Sequence, residues 1–175
     1  MTYLANTRPD PPEYAPYYKR YVDLVPEADV LAALARQAGE TLAYLRSLPE
    51  AAGDQRYAPG KWSVKEVVGH MIDTERVFAH RALFFARRDP SPLPGFEQDD
   101  WAAASANGAQ SLGDLATEFE HVRAGNLYFF RHLDEEAWGR SGTASGCEFS
   151  VRALAYVILG HERYHLDILR TRYSV

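Results

Sequence analysis

An all-α fold, a four-helix bundle, is predicted by three features of the sequence. Four long segments carry apolar residues at steps of three and four, which is the spacing of one helical face. No stretch alternates convincingly between apolar and polar residues, so no strand is predicted. With 175 residues, 46% of them hydrophobic, the chain can bury one substantial core. We therefore expect one bundle domain over residues 25–175, preceded by an arm over residues 1–24.

The arm and the helices can be placed in order along the chain. Residues 1–24 are rich in proline and tyrosine, so we expect an extended arm that lies on the domain. Ser63 and Glu66 form a capping box at the start of the second helix, and Ser111 and Asp114 form a variant of it at the third. The four helices are predicted at about 27–47, 64–87, 111–132 and 150–172.

All three connections between these helices are longer than the usual hairpin of a bundle. Connections of this size either carry function or cover one end of the bundle. The middle one, residues 88–110, holds the aromatic residues Phe96 and Trp101 beside the acidic Asp99 and Asp100. It is therefore expected either to close over a functional site or to cap the core, and the sequence leaves both open.

His161 and His165 are the most informative residues of the chain. They lie four residues apart in the last helix, so both imidazoles point the same way. They share the apolar stripe of that helix with Leu154, Ile158 and Ile168, so both face the core. A single histidine there is usually a packed core residue. Two buried, unpaired imidazoles would be costly, so we predict a metal site instead.

The same segment matches H-E-x-x-H, the signature of zincin metalloproteases, in which Glu162 would be the general base. Zincins normally take a third ligand from further along the chain. The ten residues after His165 contain neither histidine nor glutamate, and Asp167 lies on the wrong side of the helix. The zincin interpretation is therefore the less favoured one, and the third ligand is expected upstream.

His70 is the best placed of the upstream histidines. It shares a helical face with Thr74 and other core positions, so it is expected to point inward. His80, His121 and His132 lie off the apolar stripes or at a helix end. These three are expected to be solvated or at the rim of the core.

Three motifs of the chain together resemble a known family. They are Lys61-Trp62-Ser63-Val64, then Glu66-Val67-Val68-Gly69-His70, and late in the chain Gly160-His161-Glu162-x-x-His165, with further similarity in residues 56–61, 92–96 and 142–146. The pattern resembles the DinB-like (DinB/YfiT) superfamily over nearly everything after about Val25. That resemblance implies a four-helix bundle, often dimeric, with a divalent metal held by His70, His161 and His165.

The implied ligand set points to chemistry at the metal. Three neutral imidazoles leave the charge of a divalent ion uncompensated and a coordination position open, which is typical of catalytic zinc sites. Zinc and nickel are the expected metals, because imidazole suits both. Such an ion lowers the pKa of a bound water or thiol. Asp73, three residues after His70, and Glu162, beside His161, are candidates to orient a ligand ring or the bound water, or else to form surface salt bridges.

Two classes of function remain compatible with these residues. The first is a metal-dependent enzyme, a thiol S-transferase or a hydrolase, because members of the resembled superfamily include thiol-dependent transferases and isomerases. Its substrate would be a small molecule such as a low-molecular-weight thiol, and Arg56, Arg76 and Arg81 are candidates for a polar pocket near the metal. The second class is a non-catalytic metal-binding protein that acts in a stress response or an interaction.

The resemblance also implies a homodimer. The aromatic surface of the arm would then cover either a partner subunit or its own chain, and it is formed by Tyr14, Tyr17, Tyr18 and Tyr21.

Composition argues against several other classes of protein. The net charge of −5 offers no basic surface for nucleic acid. No apolar stretch approaches the ~20 residues needed to span a bilayer, and no signal peptide is recognised. The single cysteine, Cys147, excludes an internal disulfide, and no catalytic role is expected for it. We therefore expect a cytoplasmic protein with neither nucleic-acid nor membrane partners.

Overall fold

A computed structural model describes residues 7–173 and residue 175 of the chain, so residues 1–6 of the predicted arm lie outside the described part. The long helices of the predicted bundle are present, together with shorter elements in the connections. The helices are α1 (Lys19–Val22), α2 (Val30–Ser47), α3 (Val64–Ala86), α4 (Gln98–Ala104), α5 (Leu112–Arg131), α6 (Glu135–Gly139) and α7 (Val151–Ile168). The strands are β1 (Ser141–Ala144) and β2 (Cys147–Ser150), and a π-helical turn, Leu169–Tyr173, extends α7.

The bundle is formed by α2, α3, α5 and α7, as the sequence predicts. Helix α3 packs against α5 and α7, and α2 packs against the same two helices. Helices α2 and α3 are consecutive in the chain and yet lie diagonally across the bundle, which explains why their connection is long. None of the described helices has both the length and the apolar character that a membrane-spanning segment requires.

The core consists of two buried clusters, and the histidine pair falls between them along α7. One cluster includes Leu154 and Ile158 together with Phe78 and Phe85 of α3. The other is built around Leu166 on α7 and residues of α3 and α5 before the midpoint of each helix. Polar imidazoles in the interval between two apolar clusters interrupt neither of them.

The starts of α3 and α5 follow the predicted capping residues, whereas α2 starts later than predicted. The Ser63 hydroxyl accepts a hydrogen bond from the Glu66 amide at 3.2 Å, and the Glu66 carboxylate accepts one from the Ser63 amide at 2.6 Å. Ser111 caps α5 through the Asp114 amide at 2.9 Å. Helix α2 begins at Val30, three residues later than predicted, because the Asp29 side chain caps it by accepting from the amide of residue 32.

The prediction that the chain has no strand is wrong between α6 and α7. Strands β1 and β2 form an antiparallel hairpin that pairs Ser141 with Ser150 and Ala144 with Cys147. Its two turn residues, Ser145 and Gly146, have φ of 54° and 73°, the left-handed pair that the type I′ turn of a two-residue hairpin requires. Four-residue strands are too short to show a persuasive alternation, so the sequence pattern missed them.

The described part of the arm covers its own chain. Tyr14 and Tyr21 are 7% and 6% exposed, and α1 packs against α7. The Glu13 carboxylate accepts a hydrogen bond from the Ser150 hydroxyl at 2.6 Å, which ties the arm to the start of α7. At Gly160 the backbone of α7 approaches that of Tyr21 so closely that a Cβ would overlap the Tyr21 carbonyl oxygen. The arm is therefore seated on a position that only glycine allows.

Replacing Gly160 with alanine is expected to displace the arm and to lower the free energy of unfolding by about 1–3 kcal/mol, the usual effect of overpacking. Urea denaturation measures the change in the free energy of unfolding, and the rate of trypsin cleavage near Arg20 reports whether the arm is displaced. Gly39→Ala is the matched control, because a Cβ at this exposed helical glycine would meet nothing within 4 Å. It should be neutral or stabilising, as alanine favours helix. Equal stability of Gly160→Ala and the wild type would contradict the seating of the arm.

Candidate metal centre

The three histidines that the family resemblance implies as ligands meet between α3 and α7. His70 from α3 and His161 and His165 from α7 each offer one ring nitrogen, and these atoms lie within 4.8 Å of one another. The Nε2 atoms of His70 and His161 are 3.1 Å apart. The rings of His161 and His165 have their centroids 4.4 Å apart. All three side chains are buried, whereas the other three histidines of the chain are exposed, as predicted.

Burial keeps the three imidazoles neutral. It lowers the pKa of His70 to about 4. Burial, together with the charge that His70 would carry, lowers the pKa of His165 to about 3. Burial, together with the charges that His165 and His70 would carry, holds the pKa of His161 well below its usual value. The neutral imidazole is the form that binds a metal, because one of its ring nitrogens has a free lone pair.

The residues present fit a divalent ion. The His165 Nδ1 atom is buried and has no hydrogen-bond partner among residues 7–173 and 175. Leaving such a group unsatisfied costs free energy. Ring nitrogens of three neutral imidazoles converge within reach of one ion, and imidazole is a ligand that both zinc and nickel accept.

Aromatic and hydroxyl groups hold the rings in place. The Thr74 hydroxyl, one helical turn after His70, lies 3.4 Å from His70 Nδ1. The Trp62 ring lies 4.7 Å from the His70 ring, and the Tyr21 ring lies 5.3 Å from that of His161. A contact to the second ring nitrogen fixes the tautomer and the orientation of a ligating histidine. The sequence predicts no role for Tyr21 at this centre, and its only related signal is the tyrosine-rich composition of the arm.

The structure does not bring Glu162 into the histidine group. Its carboxylate is 3% exposed, and it accepts hydrogen bonds from the Thr41 hydroxyl on α2 and from Arg123 on α5, the latter at 2.6 Å. Arg123 also binds both oxygens of Glu75 at 2.8 Å. Burial raises the pKa of Glu162, and Arg123 opposes that effect. Both oxygens of Glu162 are thus engaged in joining α7 to α2 and α5.

Asp73 also lies outside the histidine group. It is half-buried, with one oxygen 3.4 Å from Nη1 of Arg76. Its burial raises its pKa, while Arg76 and the Asn107 side chain lower it. The Asp73 carboxylate lines a neighbouring cavity together with Arg76. Its ion pair with Arg76 is the salt bridge that the sequence also allowed.

Two cavities open onto the centre. One, of about 580 Å³, reaches His70 and His161 and is walled by Tyr17, Tyr18 and Tyr21 of the arm. The other, of about 540 Å³, reaches His165. Gln98, at the start of α4, lines both of them. Part of the connection 88–110 therefore lines both cavities beside this site.

Comparisons with known proteins agree with this architecture. The model of the DinB superfamily matches residues 4–169. No curated protein sequence matches the chain. Among solved structures, the chain is similar to YfiT from Bacillus subtilis, described as a probable metal-dependent hydrolase with an unusual four-helix bundle topology. The TM-score is 0.65 at 13% identity, over 87% of this chain and 86% of that one.

A second similar structure is a mycothiol-dependent maleylpyruvate isomerase. The TM-score is 0.67 at 14% identity, and the match covers 84% of this chain. The chain spans only 62% of the length of that enzyme. At such low identities, both likenesses establish the fold alone.

Proposed function

This chain belongs to the DinB superfamily, and from that membership and its histidine centre we propose that it is a metal-dependent enzyme acting on a small molecule. The observation that carries the proposal is the buried convergence of His70, His161 and His165, whose ring nitrogens lie within 4.8 Å of one another. These three residues would hold one divalent ion, zinc or nickel. Cavities that reach the ligands from two sides favour a catalytic site over a closed structural one.

A bound ion would supply a water or thiol with a lowered pKa near neutral pH. The chain's own residues have separate roles. Thr74 orients the His70 ring, and the arm tyrosines with Phe96 wall the larger cavity against bulk water. One similar structure is described as a probable hydrolase and the other as a thiol-dependent isomerase. Hydrolysis and thiol S-transfer are therefore the two reactions to test, with a low-molecular-weight thiol as the candidate partner.

Glu162 is not proposed as a general base. Its two carboxylate oxygens are bound by Thr41 and Arg123, so the zincin mechanism has no free carboxylate at this position. We propose a positioning role for Glu162, and for Asp73 a role limited to the cavity wall.

The homodimer and the cytoplasmic location stay predictions. A single-chain mass by light scattering at high concentration would contradict the homodimer.

Turnover is expected to depend on the metal and not on the cysteine. The assay follows conjugation of glutathione, cysteine and mycothiol, and hydrolysis of small esters, before and after chelation. His70→Ala should lower turnover by more than the roughly 10- to 100-fold that follows loss of a residue orienting a ligand. Cys147→Ser should stay near wild type, because Cys147 is not a member of the histidine group that would hold the ion and activate the nucleophile. Activity that survives chelation and disappears in Cys147→Ser would contradict the proposal.

A further inference from the structure

Arg81, on α3, is a buried cation that forms no salt bridge with any carboxylate of the described residues. It is 1% exposed, and its Nη2 donates to the Pro94 carbonyl at 3.0 Å and to the Ser145 hydroxyl at 2.8 Å. Its Nη1 is buried and has no hydrogen-bond partner in the described part of the chain. The other arginine buried to this degree, Arg123, is bound instead by two glutamates.

The missing anion matters energetically. A buried ion has a penalty of several kcal/mol unless an opposite charge and hydrogen bonds compensate it. An arginine cannot avoid that penalty by losing its proton. Burial lowers the pKa of Arg81, and the neighbouring Tyr18 phenol and Cys147 thiol only partly oppose this effect. A carbonyl, a hydroxyl and a neutral phenol leave one positive charge unmatched.

The unmatched charge borders an apolar cavity. Arg81 lines a cavity of about 360 Å³ with Val77, Leu93, Phe96 and Trp101. The far end of that cavity holds Asp73 and Arg76, and Arg76 lies 3.4 Å from Asp73 and 2.7 Å from Glu118. Helix geometry puts Asp73 about 12 Å along α3 from Arg81, so this carboxylate does not neutralise the guanidinium.

The apolar cavity adjoins the metal centre. Gly95 and Phe96 line both this cavity and the one that reaches His70 and His161. Ser145, the hydrogen-bond acceptor of Arg81, also lines the second cavity. The contact between Arg81 and Ser145 therefore stands at the junction of the two spaces.

We propose that Arg81 and Ser145 form a subsite for the carboxylate of a small ligand whose apolar part fills the cavity beside Trp101. The Arg81 Nη1 offers an unused donor, and the Ser145 hydroxyl still has its hydrogen to donate, because its oxygen accepts from Nη2. A single unmatched positive charge suits a carboxylate better than a dianionic phosphate. That this carboxylate belongs to the substrate of the metal centre rests on the proposed function.

The spacing of residues along α3 is compatible with one ligand that reaches both Arg81 and the histidines of the metal centre. Arg81 follows His70 by eleven residues, about 16 Å along the helix axis. Helical side chains lean toward the N-terminus, so the long arginine side chain shortens that gap. An acid held by Arg81 and Ser145 at the junction of the two cavities would place its apolar part beside Trp101 and extend a second substituent toward His70 and His161.

The test is calorimetric titration with 3-phenylpropanoate and with its uncharged amide, 3-phenylpropanamide. The acid is expected to bind the wild type roughly tenfold or more tightly than the amide, since a charge-assisted pair with arginine is lost in the amide. Arg81→Gln should abolish the preference. Arg131→Gln removes the same charge from an exposed position of α5 and should retain it.

Two further variants keep the test decisive. Ser145→Ala should weaken binding of the acid without affecting the amide, and it serves if Arg81→Gln fails to fold. His70→Ala removes a predicted metal ligand and should keep the preference for the acid. A preference lost in His70→Ala but kept in Arg81→Gln would mean that the carboxylate binds the metal, and it would overturn the subsite. So would equal binding of acid and amide by the wild type.

Together with metal analysis and the turnover assay, these titrations separate the subsite from the proposed function. If the protein prefers the acid through Arg81 but holds no metal and has no turnover, the proposed enzyme is wrong and the subsite stands. If the protein is a metal-dependent enzyme with no preference for the acid at Arg81, the subsite is wrong and the proposed function stands.

Discussion

His161→Ala is expected to leave the purified protein almost free of divalent metal, while the wild type retains about one ion per chain, the stoichiometry of a single three-ligand site. His161 contacts both other histidines, with its Nε2 3.1 Å from that of His70 and its ring centroid 4.4 Å from that of His165. Its removal leaves two imidazoles and, among the described residues, no carboxylate in the group to replace it. The measurement is elemental analysis by mass spectrometry after dialysis against zinc or nickel.

The control for this variant is His121→Ala, which removes one exposed histidine from α5 and should keep the full metal content. His70→Ala and His165→Ala should behave like His161→Ala. If a triple variant lacking all three histidines holds as much metal as the wild type, the ion lies elsewhere and the site assignment is wrong.

The pH dependence of metal content gives a second view of the same site. Ligation requires neutral imidazoles, and burial lowers the pKa of His70 to about 4 and that of His165 to about 3. Protons should therefore compete poorly with the metal until the pH falls well below the ordinary histidine pKa of about 6.5. In the metal-free protein the unfolded chain binds protons below about pH 6.5 that the folded chain rejects, so stability should fall with pH there.

The histidine pair and the helix starts could be predicted from sequence because local geometry determines them. A spacing of four residues puts His161 and His165 on one helical face whatever the tertiary packing. The capping pair of Ser63 and Glu66 is likewise complete within four residues. Assigning His70 as the third ligand needed the family resemblance, because 91 residues separate it from His161.

The contacts that sequence could not predict join distant parts of the chain. Glu162 reads locally as a possible base, but its partners lie 121 residues earlier at Thr41 and 39 residues earlier at Arg123. Arg81 reads as one of three candidate pocket arginines, and only the packed structure shows that its guanidinium is buried without an anion. The seat of the arm on Gly160 likewise depends on a backbone approach between distant residues.

Arg123→Met is expected to lower the free energy of unfolding by about 3–5 kcal/mol, the range found when one partner of a buried ion pair is removed. Arg123, Glu75 and Glu162 are 1%, 4% and 3% exposed, and the guanidinium binds both carboxylates. Methionine fills much of the space but leaves two carboxylates buried without a counter-ion. Urea denaturation of the wild type and the variant gives the difference.

A matched control and a rescue separate charge from packing in this prediction. Arg46→Met breaks an exposed pair with Glu120 and should change stability little. Adding Glu75→Gln and Glu162→Gln to Arg123→Met removes the uncompensated charges and should recover most of the lost stability. If Arg123→Met alone is as stable as the wild type, the buried network does not hold α7 in place. If the rescued triple variant also keeps its metal and its turnover, Glu162 acts by positioning the helix that carries His161, because a glutamine cannot serve as a general base.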